Sequence, residues 1–443
     1  MEIKLSDHFT YKKLLQFTMP SIAMMVFISI YGVVDGFFVS NFVGKTPFAA
    51  LNLIFPFIMV LASFGFMFGA GGSALVAKTL GQKQNEKANM QFSLIVYVSI
   101  ALGIILAVLG VVFARPVAIL LGAKGKMIDQ CVTYGSILMA AMPFFMLQFE
   151  FQNFFVTAEK PKLGLWATIA SGVTNMVLDA LFIAVFKWGL VGAAVASALS
   201  QVVGGIIPLV YFSRKNSSLL KFVPTIFDVR TLIKTFTNGS SELMSNISMS
   251  LVCILYNFQL IEHAGENGVA AYGVLMYVNM IFLAVFIGYA VGTAPIISYH
   301  FGAKNHKELK SLLKKSSVII LLCSIAMLIL SEALALPLSL MFVSYDRSLL
   351  EITLRGFVIY SFSFLFSGFA IYGSSFFTAL NDGLTSAVIS FLRTLVFQIA
   401  AVMILPMIWG LDGIWISIVV AEIMAVAVTV IFIIAKRNKY KYL

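Results

Sequence analysis

Twelve long apolar stretches run through the sequence and limit the possible folds more than any other feature. Each has about 20 residues or more, which lets a helix cross roughly 30 Å of hydrocarbon. Backbone polar groups inside lipid must bond within their own segment, so we expect an all-α polytopic membrane protein. The predicted spans are residues 14–39, 51–77, 91–113, 131–156, 163–186, 190–212, 236–262, 270–298, 316–336, 353–379, 384–408 and 412–435.

Composition excludes several other classes of protein. Apolar residues make up 60% of the chain and charged residues only 11%, whereas a soluble domain has roughly half and a quarter. No stretch between the spans could form a catalytic domain, and the sequence contains no HExxH or GxSxG motif. The three cysteines lie far apart without metal-ligand spacing. We therefore predict a membrane protein that is not an enzyme, carries no cofactor and binds no nucleic acid.

The basic residues are distributed unevenly between the two sides of the predicted spans. Of the 30 Lys and Arg residues, 22 fall on the side of the N-terminus, 7 fall on the opposite side, and Arg393 lies inside a span. Lys and Arg collect on the cytoplasmic side of membrane proteins. We therefore predict a multi-pass protein of the cytoplasmic (plasma) membrane with both termini in the cytoplasm.

The sequence also repeats itself when it is shifted by 221 residues. Glycines, prolines and lysines near predicted loops coincide in this register across six spans, which indicates an internal duplication. Because six is an even number, the two halves share one orientation and are related by a pseudo-twofold axis along the membrane normal. The coinciding pairs include Gly44 and Gly265, Lys83 and Lys304, Pro116 and Pro337, and Gly189 and Gly410.

This duplication predicts the domain organisation. Residues 1–212 are expected to form an N-terminal six-helix bundle, residues 213–235 a basic cytoplasmic linker, and residues 236–443 a C-terminal six-helix bundle. Many secondary transporters place their substrate between two bundles related in this way. We expect the chain to function as a monomer in the lipid bilayer.

Ionisable side chains inside spans are costly, so they are candidate functional residues. Asp35 lies in the first span, Asn175 and Asp179 lie one turn apart in the fifth, and Ser197 lies in the sixth. All four are roughly 6–10 Å below the outer ends of their helices. Their oxygens suit Na⁺, and two close carboxylates also hold a proton. We predict a cation-binding and coupling site; the alternative is a buried hydrogen-bond network that only fixes helix packing.

The repeat shows that this constellation is present in one half only. At an offset of 221 residues, Asp35 coincides with Tyr256, and the other three positions coincide with Val396, Ala400 and Ile418. A purely structural network would have less reason to occur in only one half. We therefore infer that the two halves have different roles.

A second set of residues consists of weaker candidates for the substrate cavity or a secondary coupling site. Glu150 and Glu242 either face the cavity and attract cationic substrate, or snorkel or cap a helix. Arg393 and Glu422 are expected to form an ion pair across spans 11 and 12, since each alone would be costly. Pro20 could permit a helix bend coupled to protonation of the first-span aspartate. The candidates are Glu150, Glu242, Tyr256, Arg393 and Glu422.

With these residues in place, the sequence resembles the multidrug and toxic compound extrusion (MATE) transporters over nearly its whole length. The most specific stretch is residues 159–197, EKPKLGLWATIASGVTNMVLDALFIAVFKWGLVGAAVAS. In that family, the residues that match Asp35, Asn175, Asp179 and Ser197 form a cation site in the N-terminal bundle, although the hydroxyl residue is commonly Thr.

At other positions, some residues match those that are usual in this family and others differ from them. Glu242 matches an acid that occurs in the seventh span of family members. Some members pair it with acids in later spans, whereas spans 8 and 10 of this chain contain none. Thr157 stands where many members carry Arg. A coupling site in the C-terminal bundle is therefore less well supported than one in the N-terminal bundle.

The resemblance implies a MATE-like antiporter that exports lipophilic, often cationic, organic compounds while Na⁺ or H⁺ enters. The 21 Met and 41 Phe residues could line an adaptable apolar cavity. The alternatives are an exporter or flippase of lipid-linked precursors, a membrane-embedded enzyme and a channel. Acids outnumber the single intramembrane base, Arg393, which disfavours an anionic cargo.

Overall fold

The computed structural model describes residues 3–344 and 346–442, apart from the side chains of Phe37, Ser40, Asn41, Lys45 and Phe48. These residues form helices and short connections, and no strand occurs among them. Within the described residues, nine helical segments are long and apolar enough to cross a membrane, two of them continuing through π-helical turns, and two bent helix pairs raise the number to eleven.

The N-terminal half contains seven helices and one π-helical segment. Thr10 caps the first helix, and Pro161 occupies the first turn of the sixth, where its missing N–H costs nothing. The π-helical segment, Ala180–Val185, continues directly from the sixth helix. The helices are α1 (Tyr11–Phe42), α2 (Lys45–Gly81), α3 (Asn85–Leu120), α4 (Lys126–Ala140), α5 (Met142–Thr157), α6 (Pro161–Asp179) and α7 (Gly189–Ser213).

The C-terminal half repeats this order with more breaks. Asp228, Asn305 and Asp346 accept backbone hydrogen bonds at the starts of their helices. A second π-helical segment, Leu392–Val396, separates α12 from α13. The helices are α8 (Val229–Gly302), α9 (His306–Val343), α10 (Arg347–Ser361), α11 (Phe364–Ala379), α12 (Gly383–Phe391), α13 (Phe397–Ile404), α14 (Pro406–Trp409) and α15 (Leu411–Tyr440).

Helix α8 accounts for the twelfth span. Its 74 residues would measure about 110 Å as one straight helix, far more than a bilayer is thick. The helix is broken at Gly265, whose combination of a φ of 59° with a ψ of −147° is readily adopted only by glycine. The two parts correspond to the predicted spans 236–262 and 270–298. Together with the two bent pairs, this break confirms twelve spans of the predicted all-α fold.

Two predicted spans are bent rather than straight. The span predicted at 131–156 consists of α4 and α5, which meet at 56°, and the span at 353–379 consists of α10 and α11, which meet at 49°. Pro143 in the first turn of α5 cannot donate to the preceding turn. At the second bend, the Ser361 and Ser367 hydroxyls donate to the backbone carbonyls of Val358 and Ser363 and compete with regular helix bonds.

The linker between the halves is shorter than its predicted extent of 213–235. Helix α8 already begins at Val229, so residues 214–228 form the connection. The Lys221 amide donates to Asn89 Oδ1 at 2.8 Å, and the Val223 amide donates to Ser93 Oγ at 2.9 Å. These bonds fix the linker along α3.

The backbone conformation at the turns also repeats between the two halves. Lys83 and Lys304 have φ angles of 61° and 56°, and Gly189 and Gly410 have φ angles of 59° and 57°. Each pair is separated by 221 residues. Turns with the same positive φ therefore follow α2 and α8, and a second matching pair of turns stands at the starts of α7 and α15.

The two halves touch along a line of close backbone contacts, which we call the seam. It lies at the basic end of the helices, defined as the end that carries Lys83, Lys304 and the linker. Added Cβ atoms at the seam glycines would collide with backbone atoms of the opposite half, so only glycine fits. The contacts join Gly71 to Thr235, Gly239 to Met67, Gly81 to Tyr299, and Gly302 to Lys78.

The N-terminal segment of residues 3–10 connects both halves at the basic end. The Leu5 amide donates to Glu159 Oε1 at 2.6 Å, at the end of α5. The Phe9 amide donates to Glu308 Oε1 at 2.9 Å, and His8 Nδ1 lies 2.7 Å from Glu308 Oε2, in α9. Burial raises the pKa of the Glu159 carboxyl above its ordinary value.

Candidate functional site

Close packing of α1 on α6 positions the predicted site. A Cβ at Gly172 would lie 2.5 Å from the Phe27 ring and 2.9 Å from the Tyr31 ring. The two helices run in the same direction. Asp35 therefore lies one turn beyond Tyr31, and Asn175 lies about one turn beyond Gly172, so their side chains reach the same level.

The structure brings all four predicted residues together. Asn175 and Asp179 are 2% and 0% exposed. The carboxyl group of Asp35 lies beside that of Asp179 and interacts with it directly. Asn175 Nδ2 donates to Ser197 Oγ at 3.3 Å and so connects α6 to α7.

Several oxygens of this site have no hydrogen-bond donor among the described residues. They are Asp35 Oδ1, Asn175 Oδ1 and both carboxylate oxygens of Asp179. Buried acceptors normally have a partner, and two adjacent carboxylates repel each other when both are ionised. The arrangement therefore suits a positive ligand. A shared proton or a hard cation coordinated by oxygens would satisfy these atoms.

Tyr134 is a member of this cluster that sequence reasoning missed. It lies on α4, is 1% exposed, and its hydroxyl lies next to Ser197 and near both carboxyl groups. Its depth was a usable signal, because Tyr134 is about 12 Å from the start of α4 at the same end of the bundle. Tyrosine is common in membrane helices, so its presence alone does not indicate a site.

The π-helical segment Ala180–Val185 begins directly after Asp179. π-helical turns inside α-helices are rare, and they are frequently found at functional sites. No pattern in the sequence predicted this segment. It changes the direction of the side chains that follow the two polar residues of α6.

A short chain of hydrogen bonds lies beside the site, on the side that faces the basic end. Gln148 Nε2 donates to Ser171 Oγ at 3.2 Å, and Ser171 Oγ lies 3.0 Å from Ser200 Oγ. These residues lie about one turn below Asn175 and Ser197. A small pocket continues between α5, α6 and α7, with Gln148 and Gln152 in its wall.

The corresponding region of the C-terminal half is different. Tyr256, which coincides with Asp35 in the repeat, donates to Gln398 Oε1 at 2.9 Å and stacks on Tyr272 with 5.3 Å between ring centroids. The hydroxyl of Tyr256 is therefore satisfied within the protein. This position provides a neutral hydrogen bond where the N-terminal half provides a carboxylate.

Arg393 and Glu422 form a buried, bidentate ion pair between spans 11 and 12. Arg393 Nη2 lies 2.8 Å from Glu422 Oε1, and Arg393 Nε lies 2.9 Å from Oε2. Their side chains are 15% and 2% exposed. Glu242 on α8 lies close enough to Arg393 to interact with its charge. The only base predicted within a span is thus compensated by two acids.

The remaining candidates, Glu150 and Pro20, lie in different surroundings. Glu150 is completely buried on α5, and neither carboxylate oxygen has a partner in the described part of the chain. It therefore lines no open cavity in this structure. Pro20 lies inside α1, which remains helical on both sides of it. Among the described residues, no group of three His, Cys, Asp or Glu side chains could hold a metal ion.

Twelve spans in two like-oriented halves, with a buried acidic site in one of them, define a multi-pass membrane protein of the transporter type. Comparison with known families agrees. The sequence profile of the MatE family matches residues 20–181 and 243–404, one segment in each half. The chain therefore belongs to the MatE family, which is a family of membrane transporters and not of enzymes.

Individual relatives and solved structures extend this comparison. The chain is 24% identical to the multidrug export protein MepA of Staphylococcus haemolyticus and 23% identical to that of Staphylococcus aureus, over 97% of this chain and 94% of each relative. Its fold matches a crystal structure of MATE in complex with MaL6, with a TM-score of 0.93, 22% identity and 98% coverage of both chains. An outward-facing multidrug resistance MATE family transporter matches with a TM-score of 0.92, 23% identity and 98% coverage of both chains.

Proposed function

We propose that this protein is a secondary active efflux antiporter. It exports lipophilic, often cationic, organic compounds in exchange for inward H⁺ or Na⁺. The observation that carries the proposal is the cluster of unpartnered oxygens from Asp35, Asn175 and Asp179 in the N-terminal bundle. The similarity to the multidrug export protein MepA supports efflux of varied compounds.

The cation acts by changing which conformation is most stable. A transported ion can drive a substrate only if the two ligands favour opposite conformations of one protein. A proton or Na⁺ removes the repulsion between Asp35 and Asp179 and allows α1, α6 and α7 to pack around them. Release of that cation restores the repulsion and favours the other conformation. The seam at the basic end is the contact that must open and close.

The orientation follows from the distribution of charge. The basic end faces the cytoplasm of a plasma membrane, and the Asp35 site lies nearer the outer side, where an inward gradient loads it. The protein works as a monomer and has no resident cofactor, because H⁺ or Na⁺ is a transported substrate.

A competing proposal is export of lipid-linked precursors, which carry anionic headgroups. Such a cargo needs uncompensated positive charge in the cavity. Arg393 is paired with Glu422, and Glu242 adds a further negative charge beside it. This charge balance favours cationic over anionic cargo.

The proposal is tested by efflux of a fluorescent organic cation from cells that express Asp35→Asn. The amide keeps the size of the side chain but removes its charge and its proton-binding capacity. We expect efflux to be lost while the amount of inserted protein is unchanged. The matched control is Asp129→Asn, since Asp129 is 71% exposed and forms a surface pair with Arg115. Normal efflux by the Asp35 variant would contradict the proposal.

A further inference from the structure

The linker and the first two turns of α8 expose an apolar surface at the basic end. Residues 219–227, LLKFVPTIF, contain a single charged side chain, and Ile226 and Phe227 are 76% and 68% exposed. Val229 and Ile233 lie one turn apart on one face of α8 and are 54% and 57% exposed. The described residues therefore leave more than half of each side chain uncovered. We call these four residues the linker surface.

Contacts with α3 place the linker at the level where the hydrocarbon begins. The Val223 amide donates to Ser93 Oγ at 2.9 Å. The Phe222 ring stacks on Tyr97 with 5.7 Å between the ring centroids. Both partners on α3 lie just inside the span predicted at 91–113. The linker surface therefore lies near the depth at which lipid headgroups meet acyl chains.

Excess positive charge borders the linker surface. Arg230 and Lys234 are exposed and lie one turn apart on the adjoining face of α8. Lys234 is close enough to Lys78 of α2 for their positive charges to repel each other. Asp228 is the only acid in the sequence between residues 213 and 235, and its carboxylate already accepts the Arg230 amide at the start of α8. A bound anion would reduce this repulsion.

An anionic phospholipid supplies both of the features that this surface lacks. Its acyl chains cover exposed apolar side chains at the membrane interface, and its phosphate attracts Lys and Arg. A zwitterionic phospholipid offers the same chains, but its ammonium group cancels the charge of its phosphate. Free phosphate offers the charge without the chains. The anionic lipid is therefore the ligand whose chemistry matches the whole surface.

We propose that the linker surface and its two basic neighbours bind an anionic phospholipid in the leaflet at the basic end. Ile226 and Phe227 enter the region of the acyl chains, and Arg230 and Lys234 contact the headgroup phosphate. The lipid holds the linker and the first turns of α8 at the membrane surface. Binding requires neither cation coupling nor efflux, so the inference is independent of the proposed antiport function.

Lipid binding is measured by native mass spectrometry of the full-length protein, purified in detergent and titrated with phosphatidylglycerol or with phosphatidylcholine of the same chain length. The wild type should bind phosphatidylglycerol more tightly. Arg230→Gln combined with Lys234→Gln should lower the affinity for phosphatidylglycerol roughly 25-fold, or about fivefold per charge, and leave binding of phosphatidylcholine unchanged. Arg230→Lys combined with Lys234→Arg keeps both charges and should bind like the wild type.

The matched control is Lys310→Gln combined with Lys314→Gln, which removes two exposed lysines one turn apart on α9, also near the basic end. This variant should keep the wild-type affinity for phosphatidylglycerol. An equal loss in the control would show a general attraction to the basic end and would overturn the inference. Equal binding of both lipids by the wild type would overturn it too, as would displacement of the lipid by inorganic phosphate.

A second readout measures whether the linker surface lies in lipid. A spin label is placed at Ile226→Cys in nanodiscs that contain phosphatidylglycerol, after replacement of the three native cysteines. Ser217→Cys, also exposed and in the linker, is the control position. The label at residue 226 should collide more with oxygen, which dissolves in hydrocarbon, and less with a water-soluble nickel chelate. Equal access of nickel to both labels would place the surface in water and contradict the proposal.

Discussion

The ion pair of Arg393 and Glu422 allows a quantitative test of packing in the C-terminal half. Three contacts of 2.8–3.0 Å join the two groups, which are 15% and 2% exposed. Removing one partner of such a pair leaves an uncompensated buried charge and costs about 3–5 kcal/mol. Replacing both partners by apolar residues of similar size is neutral or stabilising, by about 1–4 kcal/mol in other proteins.

The two single variants are not expected to be equal. Arg393→Met leaves Glu422 with no other described cation nearby and with Glu242 as an additional negative charge. Glu422→Leu leaves Arg393 near Glu242, which partly compensates it. We therefore expect Arg393→Met to be the more destabilising, near the upper end of the range of about 3–5 kcal/mol.

The assay is thermal unfolding of the purified protein in detergent for the two single variants and the double variant. The expected order of Tm places both single variants below the wild type, with Arg393→Met lowest and the double variant restored to the wild-type value or above. Equal losses in the double variant and in Arg393→Met would refute the reasoning. That result would show that the pair is not the main source of the destabilisation.

Three further variants test other parts of the structure. Gly239→Ala places a Cβ against a backbone carbonyl of α2, so disulfide cross-linking across the seam should fall sharply, whereas Gly273→Ala, which has open space, should cross-link normally. Glu308→Ala removes the acceptor of the Phe9 amide, so this amide should exchange hydrogen faster, consistent with a loss of about 1–3 kcal/mol. Pro20→Ala restores the backbone N–H that proline lacks inside α1, and it should reduce efflux while raising Tm.

Controls keep these three tests specific. Glu351→Ala is the matched control for Glu308, because Glu351 is 72% exposed and pairs with Arg347 on the same helix. Normal cross-linking in the Gly239 variant would mean that the seam tolerates a side chain. Unchanged exchange at Phe9 would contradict the role assigned to Glu308, and full efflux by the Pro20 variant would contradict the predicted role of Pro20 in helix bending.

Much of the fold could be predicted because its signals are local in sequence. The thickness of the bilayer sets the length and composition of each span, so the spans can be recognised in the sequence. Gly44, Gly265 and Gly410 mark the positions of turns in the repeat. The bends after Ala140 and Ser361 were not predictable in the same way. They depend on a proline in a first turn and on hydroxyls that compete with the backbone, and each helix pair together is apolar enough to be predicted as a single span.

The site was predictable to the extent that its residues are rare in membrane helices. Asp35 and Asp179 stand out because carboxylates are costly in hydrocarbon, and one-turn spacing selects Asn175. Tyr134 does not stand out, since tyrosine is frequent there. The burial of Glu150 depends on how α5 is rotated against α2, and helical periodicity alone leaves that rotation open.

The most direct test of the central claim is efflux from proteoliposomes in which a single cation gradient is imposed. Wild-type protein should export a fluorescent organic cation when a pH gradient or a Na⁺ gradient alone is applied in the inward direction. Asp35→Asn should lose this driven efflux under both conditions while it still inserts and folds. Gradient-driven efflux by Asp35→Asn at the wild-type rate, or no response of the wild type to either gradient, would contradict cation coupling through the N-terminal bundle.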